Sequence, residues 1–119
     1  EEIESSLDDF LVMTIDGNVV GCVALHCSQD PRCAEIACLY VKQSHGGQGY
    51  GYLLVKAAEQ RALELGVPWV FALSNRAVDF FLDQLGYEPC SIEVIPASRQ
   101  ERLRSTDRES LVIRKTICP

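Results

Sequence analysis

A glycine-rich stretch, residues 46–51 (GGQGYG), lies between an apolar, strand-like run and an amphipathic helix pattern. Glycines let several backbone N–H groups turn toward one point, and the N-terminus of the following helix adds the positive end of its dipole. The stretch is therefore a candidate anion cradle, most simply for a phosphate. Glycines between a strand and a helix can also serve only a tight turn, so the stretch alone leaves both interpretations open.

A second candidate is Glu35, a carboxylate inside the apolar run from Cys33 to Val41. Burying a carboxylate costs free energy unless a partner or a reaction uses it. The alternation of side chains along a strand also permits Glu35 to lie on a solvated face of a sheet. The sequence therefore indicates either a functional carboxylate or a surface carboxylate at this position.

Positive charge is concentrated at the C-terminus of an acidic chain. Residues 1–95 hold 14 acids and 5 bases (−9) and residues 96–119 hold 3 acids and 6 bases (+3), which together give the net charge of −6. This charge argues against nucleic acid as the main partner. The basic segment could bind an acidic small molecule, although a single arginine or lysine is more often surface charge. We interpret four of its cations as solvated surface: Arg102, Arg104, Arg114 and Lys115.

Length and composition predict one globular domain. The 119 residues are 47% hydrophobic, with no apolar run of 18 residues or more and no charged-then-apolar leader, so neither a membrane span nor a signal peptide is expected. The six cysteines form no C-x-x-C pair, and four lie in apolar, strand-like runs. We interpret them as reduced core cysteines of a cytoplasmic protein rather than a disulfide framework or a metal site.

The order of elements predicts an α+β domain with a mixed, mostly antiparallel sheet. Residues 1–9 are expected to form a tail or the end of a missing helix, and residues 10–119 the domain itself. A hairpin turn is predicted at Asp16-Gly17-Asn18. The strand at 33–41, the glycine stretch, a helix and the strand at 69–73 form a right-handed crossover unit with parallel strands. Strands are predicted at 10–15, 19–26, 33–41, 69–73, 87–95 and 111–117, and helices at 50–65, 76–85 and 96–105.

Two motifs in this order resemble those of the GNAT superfamily of acetyl-CoA-dependent N-acetyltransferases. The family's strand-to-helix loop carries Arg/Gln-x-x-Gly-x-Gly/Ala, which Gly49 and Gly51 match, while the Arg/Gln position is Gly46. The resemblance implies the GNAT acyl-CoA N-acyltransferase fold with a splayed parallel strand pair, its N-terminal elements missing, and acetyl-CoA as cosubstrate without a metal. The family's next pattern, Asn-x5-Leu/Phe-Tyr-x3-Gly-Phe, is matched at Asn75, Phe81, Leu82, Gly86 and Tyr87.

Three local patterns look like the acetyltransferase domain of the bacterial N-acetylglutamate synthases. This family transfers acetyl from acetyl-CoA to the α-amine of L-glutamate by direct attack in a ternary complex, the first step of arginine biosynthesis. By resemblance, Glu35 is the general base that takes the amine proton. Ser74 is the counterpart that protonates the leaving thiolate, although a plain helix N-cap is an equally simple role for it. The patterns are residues 35–39 (EIACL), LS-x4-DFF-x4-GY at 73–87, and Ile95-Pro96-x2-Arg99 with Arg108-x-Ser110-x-Val112.

The same resemblance assigns the binding residues. Arg99, Arg108 and Ser110 match positions that hold the glutamate carboxylates, and the planar arginine fork suits that task. A freed backbone N–H near Cys38 and Leu39 would bind the thioester oxygen as it gains charge. The acetyl-CoA contacts are expected at Cys38, Leu39, Tyr40, Val41, Gly46, Gly47, Gln48, Gly49, Tyr50, Gly51 and Asn75.

The resemblance also implies partners and leaves rival functions. An amino-acid-kinase-like or other fused domain is expected to precede this one in the parent chain. The protein could assemble as a homo-oligomer, and no nucleic acid or membrane partner is expected. A GNAT enzyme acting on another amine, such as another amino acid, a protein N-terminus or a polyamine, stays open. So does a non-catalytic acyl-CoA-binding regulatory module, because Gly46 and Leu82 depart from the family's motifs.

Overall fold

The fold is a single mixed sheet with helices on both faces. The structure is a computed structural model and describes residues 2–5, 10–29, 31–45, 47, 49–74, 77–105 and 111–117. Its strands are β1 (Glu2–Ser5), β2 (Phe10–Ile15), β3 (Asn18–Gln29), β4 (Arg32–Val41), β5 (Trp69–Ser74), β6 (Glu88–Pro89) and β7 (Leu111–Thr116). They lie in the order β1-β2-β3-β4-β5-β7-β6, with β4 and β5 parallel and the other neighbours antiparallel. The predicted α+β class with a mixed, mostly antiparallel sheet and one parallel pair is confirmed.

The longest helix, α1 (Tyr50–Glu64), crosses from β4 to β5, as the crossover unit predicted. A 3-10 turn (Gln43–His45) precedes it, and the side chain of Arg32 donates to the carbonyl oxygens of Leu65 and Gly66 at its C-terminus. A π-helix (Phe80–Gln84) follows β5, and a 3-10 turn (Ile92–Val94) leads to α2 (Ala97–Ser105). None of the helices in the described part of the chain is long and apolar enough to cross a membrane.

The β2–β3 hairpin follows directly from two residues. Asp16 and Gly17 take φ values of 52° and 80°, and Ile15 pairs with Asn18 across them. Positive φ at both central residues defines the turn whose twist matches that of antiparallel strands, and Asp-Gly is a preferred sequence for it. The predicted hairpin is therefore confirmed.

Alternating residues of the central strands supply two separate cores. On β5, Val70 and Ala72 pack with α1 and the π-helix on one face, whereas Phe71 packs with the segment 92–103 on the other. On β4, Ala34 and Ile36 belong to the first core and Cys33 to the second. Glu35 shares the face of Cys33, so its side chain points toward α2.

Two sequence predictions about secondary structure are wrong. Residues 2–5 form a strand rather than a tail or helix end, because Ile3 alternates with acidic residues and packs on the core while β1 pairs with β2. The predicted strand at 87–95 is limited to Glu88–Pro89. Pro89 has no N–H to continue the ladder, and the hydroxyl of Ser91 accepts from the N–H of Glu93 to begin a 3-10 turn instead.

Only some of the described cysteines lie in the core. The described cysteines Cys22, Cys27, Cys33, Cys38 and Cys90 form no disulfide, and of these Cys33 alone is buried. Burial raises the pKa of the Cys33 thiol to about 11, with smaller contributions from Cys27 and Glu35. This thiol is therefore protonated at neutral pH. Cys27 and Cys38 are exposed, so the core interpretation is wrong for them.

A buried polar cluster joins α1 to β7. Glu59 is 5% exposed, and its carboxylate accepts hydrogen bonds from the Tyr87 hydroxyl at 2.8 Å and Lys115 Nζ at 3.1 Å. Lys56, which is more exposed, also pairs with Glu59, with Nζ 3.3 Å from Oε1. The interpretation of Lys115 as solvated surface is wrong, because this side chain neutralises a buried acid. Arg114, also expected at the surface, lies over the ring of Trp69 at 5.7 Å.

Tyr87→Phe is expected to lower the free energy of unfolding by about 1–3 kcal/mol, because it removes a donor from a buried carboxylate. Burial, reinforced by Glu59, raises the pKa of Tyr87 far above its usual value, so the hydroxyl is the donor. Urea denaturation measures the loss. Tyr52→Phe on the exposed side of α1 is the matched control, and a loss no larger than that of the control would contradict this role.

Candidate active site

The candidate site opens where β4 and β5 separate. The parallel pairing consists of Ala34 with Val70 and Glu35 with Phe71, and residues 36–41 of β4 continue without a partner on β5. Both strands are described throughout. The backbone of β4 that faces β5 is thus free of sheet hydrogen bonds beyond Glu35. This divergence is the splayed parallel pair that the sequence predicted.

A β-bulge lies on the same part of β4. The β3–β4 pairing joins Cys22 to Tyr40 and Ala24 to Ala37, so Cys38 and Leu39 together lie opposite Val23. Cys38 takes a φ of 53°, an unusual conformation for a residue with a side chain. Bulges of this kind redirect the backbone and interrupt pairing. The regular β3–β4 pairing is therefore interrupted at Cys38 and Leu39, in the part of β4 that has no partner on β5.

The glycine loop meets the far end of β4. Gly49 is the N-cap of α1 with φ 79°, and as a glycine it provides no side chain to cap the helix. Gly47 also has φ 79°. A Cβ at Gly51 would contact Phe80 Cζ at 3.8 Å and Val41 Cγ2 at 3.9 Å, so this turn of the helix packs between β4 and the π-helix. The first-turn N–H groups of α1 therefore lie at the end of the strand cleft.

Glu35 and Arg99 contact each other directly. Arg99 Nη2 donates to Glu35 Oε2 at 2.8 Å, and Arg99 Nε lies 2.6 Å from Oε1 without the alignment of a hydrogen bond. The Glu35 side chain is only 5% exposed, whereas that of Arg99 is 32% exposed. The alternative of a solvated Glu35 is therefore wrong. Glu35, predicted to be the general base, and Arg99, predicted to bind a carboxylate of the acceptor, instead form one ion pair beneath α2.

Ser74 ends β5, on the other side of the cleft. Its hydroxyl oxygen accepts a hydrogen bond from the N–H of Ala77 at 3.0 Å, ahead of the helical segment, whose N-cap is Asp79. Accepting this bond leaves the hydroxyl proton of Ser74 available to a further acceptor. This bond anchors the Ser74 side chain, and the role of Ser74 as a proton donor stays a prediction.

Five predicted binding residues lie outside the described part of the chain: Gly46, Gln48, Asn75, Arg108 and Ser110. Their assignments remain predictions. Among the described ones, Leu39 and Val41 are half-buried while Cys38 and Tyr40 are exposed along the open part of β4. Sequence reasoning missed Glu59 as a buried charge. Its signal was present, because Glu59 follows Val55 by four residues on the apolar face of α1.

Comparisons with known proteins agree with this geometry. The chain belongs to the acetyltransferase (GNAT) family, whose model matches residues 2–87. An amino-acid acetyltransferase of Aeromonas salmonicida is 34% identical over 117 residues, which cover 98% of this chain and 26% of that protein. One from Neisseria meningitidis (strain Z2491) is 32% identical over 113 residues, covering 95% and 26%. The family resemblance inferred from the two motifs is confirmed.

One solved structure is similar to nearly the whole of this chain. The N-acetylglutamate synthase from Neisseria gonorrhoeae, complexed with coenzyme A and N-acetyl-glutamate, has a TM-score of 0.87 and 31% identity. The match covers 93% of this chain and 26% of that one. The chain thus spans about a quarter of the length of these relatives.

Proposed function

We propose that this chain is an acetyl-CoA-dependent amino-acid N-acetyltransferase domain, and that its acceptor is the α-amine of L-glutamate. The observation that carries the proposal is the buried Glu35 at the point where β4 and β5 separate, with Arg99 in contact with it. A base next to an opening cleft and a cation beside it suit an acceptor that is both an amine and an acid. The relatives named amino-acid acetyltransferase support the same reaction.

The residues present fit acetyl-CoA. The N-terminus of α1 offers backbone N–H groups to the pyrophosphate, since its N-cap, Gly49, has no side chain that would satisfy them. The unpaired edge of β4 offers backbone donors and acceptors to the amide groups of the pantetheine arm. The bulge at Cys38 and Leu39 then lies near the thioester. The similar structure that is complexed with coenzyme A supports this placement.

The proposed reaction is a direct transfer. The α-ammonium gives a proton to the Glu35 carboxylate, and the freed nitrogen lone pair attacks the thioester carbonyl carbon. A backbone N–H at the bulge stabilises the oxygen as it gains negative charge. As the amide forms, the nitrogen gives up its second proton to solvent and the carbon–sulfur bond breaks. The thiolate takes a proton from Ser74, which is reprotonated from solvent, and Glu35 releases its proton to solvent, so that one proton is released in each turnover. Arg99, Arg108 and Ser110 hold the two carboxylates of the acceptor.

The wider setting is proposed from the same comparisons. The relatives are about four times longer than the matched segment, which supports a fused domain, such as an amino-acid-kinase-like one, in the parent protein. With L-glutamate as acceptor, the reaction is the first step of arginine biosynthesis. The five described cysteines, which form no disulfide, support a cytoplasmic protein. A homo-oligomer fits this setting and is tested by the molecular mass in solution.

The experiment is a calorimetric titration with acetyl-CoA followed by a thiol-release assay across acceptor amines. The panel contains L-glutamate, L-glutamine, L-norvaline and spermidine. Saturable acetyl-CoA binding with release of thiol that depends on L-glutamate is the expected result. Release that depends on spermidine instead would contradict the acceptor, and binding without release for any amine would favour a regulatory acyl-CoA-binding module.

A further inference from the structure

The ion pair between Glu35 and Arg99 covers the carboxylate on its solvent side. The two side chains differ sharply in exposure, 5% for Glu35 and 32% for Arg99, so solvent reaches the pair from the arginine. Both carboxylate oxygens are engaged, Oε2 by Nη2 at 2.8 Å and Oε1 by Nε at 2.6 Å. An incoming ammonium would therefore find a guanidinium nitrogen already beside each oxygen of Glu35.

The contact conflicts with the two roles assigned to its partners. Glu35 must have an oxygen free to take the ammonium proton, and Arg99 must have a free edge to hold an acceptor carboxylate. A guanidinium next to the carboxylate also repels a second cation at the same place. The observed arrangement therefore represents a closed state of the base rather than its working state.

We propose that Arg99 determines acceptor specificity by controlling access to the general base, Glu35. It covers Glu35 until a side-chain carboxylate of the acceptor draws the guanidinium away, which uncovers Glu35 as the acceptor binds. The inference rests on the proposed function, and it adds a role that carboxylate binding alone does not give to Arg99. A neutral amino acid lacks the second carboxylate, so it leaves the base covered.

The surroundings allow this exchange by rotation of one side chain. The start of α2 is fixed by Gln100, whose Nε2 donates to the carbonyl oxygens of Ile95 at 2.7 Å and Glu93 at 3.3 Å. Leu103 packs into the core formed with Phe71. Arg99 is 32% exposed on this anchored helix, and the exchange that we propose is a rotation of its long side chain on a fixed backbone. The positive charge of Arg99 stays paired during this exchange, because the side-chain carboxylate of the acceptor replaces that of Glu35.

The test compares Arg99→Gln with wild type on two acceptors of similar shape, L-glutamate and L-norvaline, which lacks the side-chain carboxylate. Arg104→Gln is the matched control, since Arg104 lies exposed on the same helix. Steady-state kcat and KM are measured for each, and circular dichroism verifies the fold. Arg99→Lys serves as the second variant, because lysine keeps the charge but loses the two-point contact.

The expected result is a gain of activity on the neutral acceptor. In Arg99→Gln, kcat for L-norvaline should rise about tenfold or more, with the roughly 10²- to 10⁴-fold contribution of a general base as the upper limit. KM for L-glutamate should rise at the same time. Arg99→Lys should shift both values in the same direction by less, and the gain on L-norvaline should vanish when Glu35→Gln is added.

The opposite results separate the two proposals. If wild type acetylates L-glutamate and both Arg99 variants raise its KM without raising kcat for L-norvaline, Arg99 is only a carboxylate ligand and the covering role is overturned. If wild type releases no thiol with any amino acid, the proposed function is overturned, and this inference with it.

Discussion

Glu35→Gln is expected to lower kcat for acetyl transfer to L-glutamate by about 10²- to 10⁴-fold, the usual contribution of a positioned general base. Glutamine keeps the size of the side chain but cannot accept the ammonium proton. Glu35 lies on β4 with Phe71 as its partner on β5, so the substitution changes the chemistry at the mouth of the cleft without changing the backbone. Thiol release under saturating acetyl-CoA measures kcat.

Acetyl-CoA affinity should be unchanged in Glu35→Gln, because the glycine loop contacts the opposite end of β4. Calorimetry on the same protein checks this. Glu64→Gln is the matched control: its side chain is 55% exposed on α1 and pairs with Arg61 at 3.8 Å. If Glu35→Gln keeps the kcat of this control, another group removes the proton and the assignment of the base is wrong.

The elements that the sequence predicts well are those governed by local chemistry. Asp16 and Gly17 dictate a hairpin whatever surrounds them, and the glycines around α1 mark where the helix begins and ends. The apolar runs at 33–41 and 69–73 predicted the positions of β4 and β5. Even the splay and the bulge were predicted, although these came from the family resemblance and not from the residues themselves.

The features that escaped prediction depend on contacts between distant residues. Lys115 looks like surface charge until β7 lies beside α1, where Glu59 is buried 56 residues away in sequence. Glu35 and Arg99 were both named, but in separate roles, and only the packing of α2 on the sheet brings them within 2.6 Å. Side-chain pairing across the fold is therefore the information that the sequence pattern lacks.

Phe71→Ala is expected to lower the free energy of unfolding by about 3–5 kcal/mol, as for other buried aromatic truncations. Phe71 is 1% exposed and packs with Cys33, Ile95 and Val112 in the core beneath α2. A domain of this size is stable by about 5–15 kcal/mol, so the loss is a large fraction of the total. Urea denaturation measures it.

Leu111→Ala is the control for Phe71→Ala, because Leu111 lies on β7 with half of its surface exposed. The control should change stability by no more than about 0.5 kcal/mol. The comparison also bears on the site, since the core around Phe71 holds the segment that carries Arg99. If Phe71→Ala cost no more than the control, α2 would not be anchored on this face of the sheet. Arg99 would then have no fixed position over Glu35, and the geometry on which acceptor selection depends would be lost.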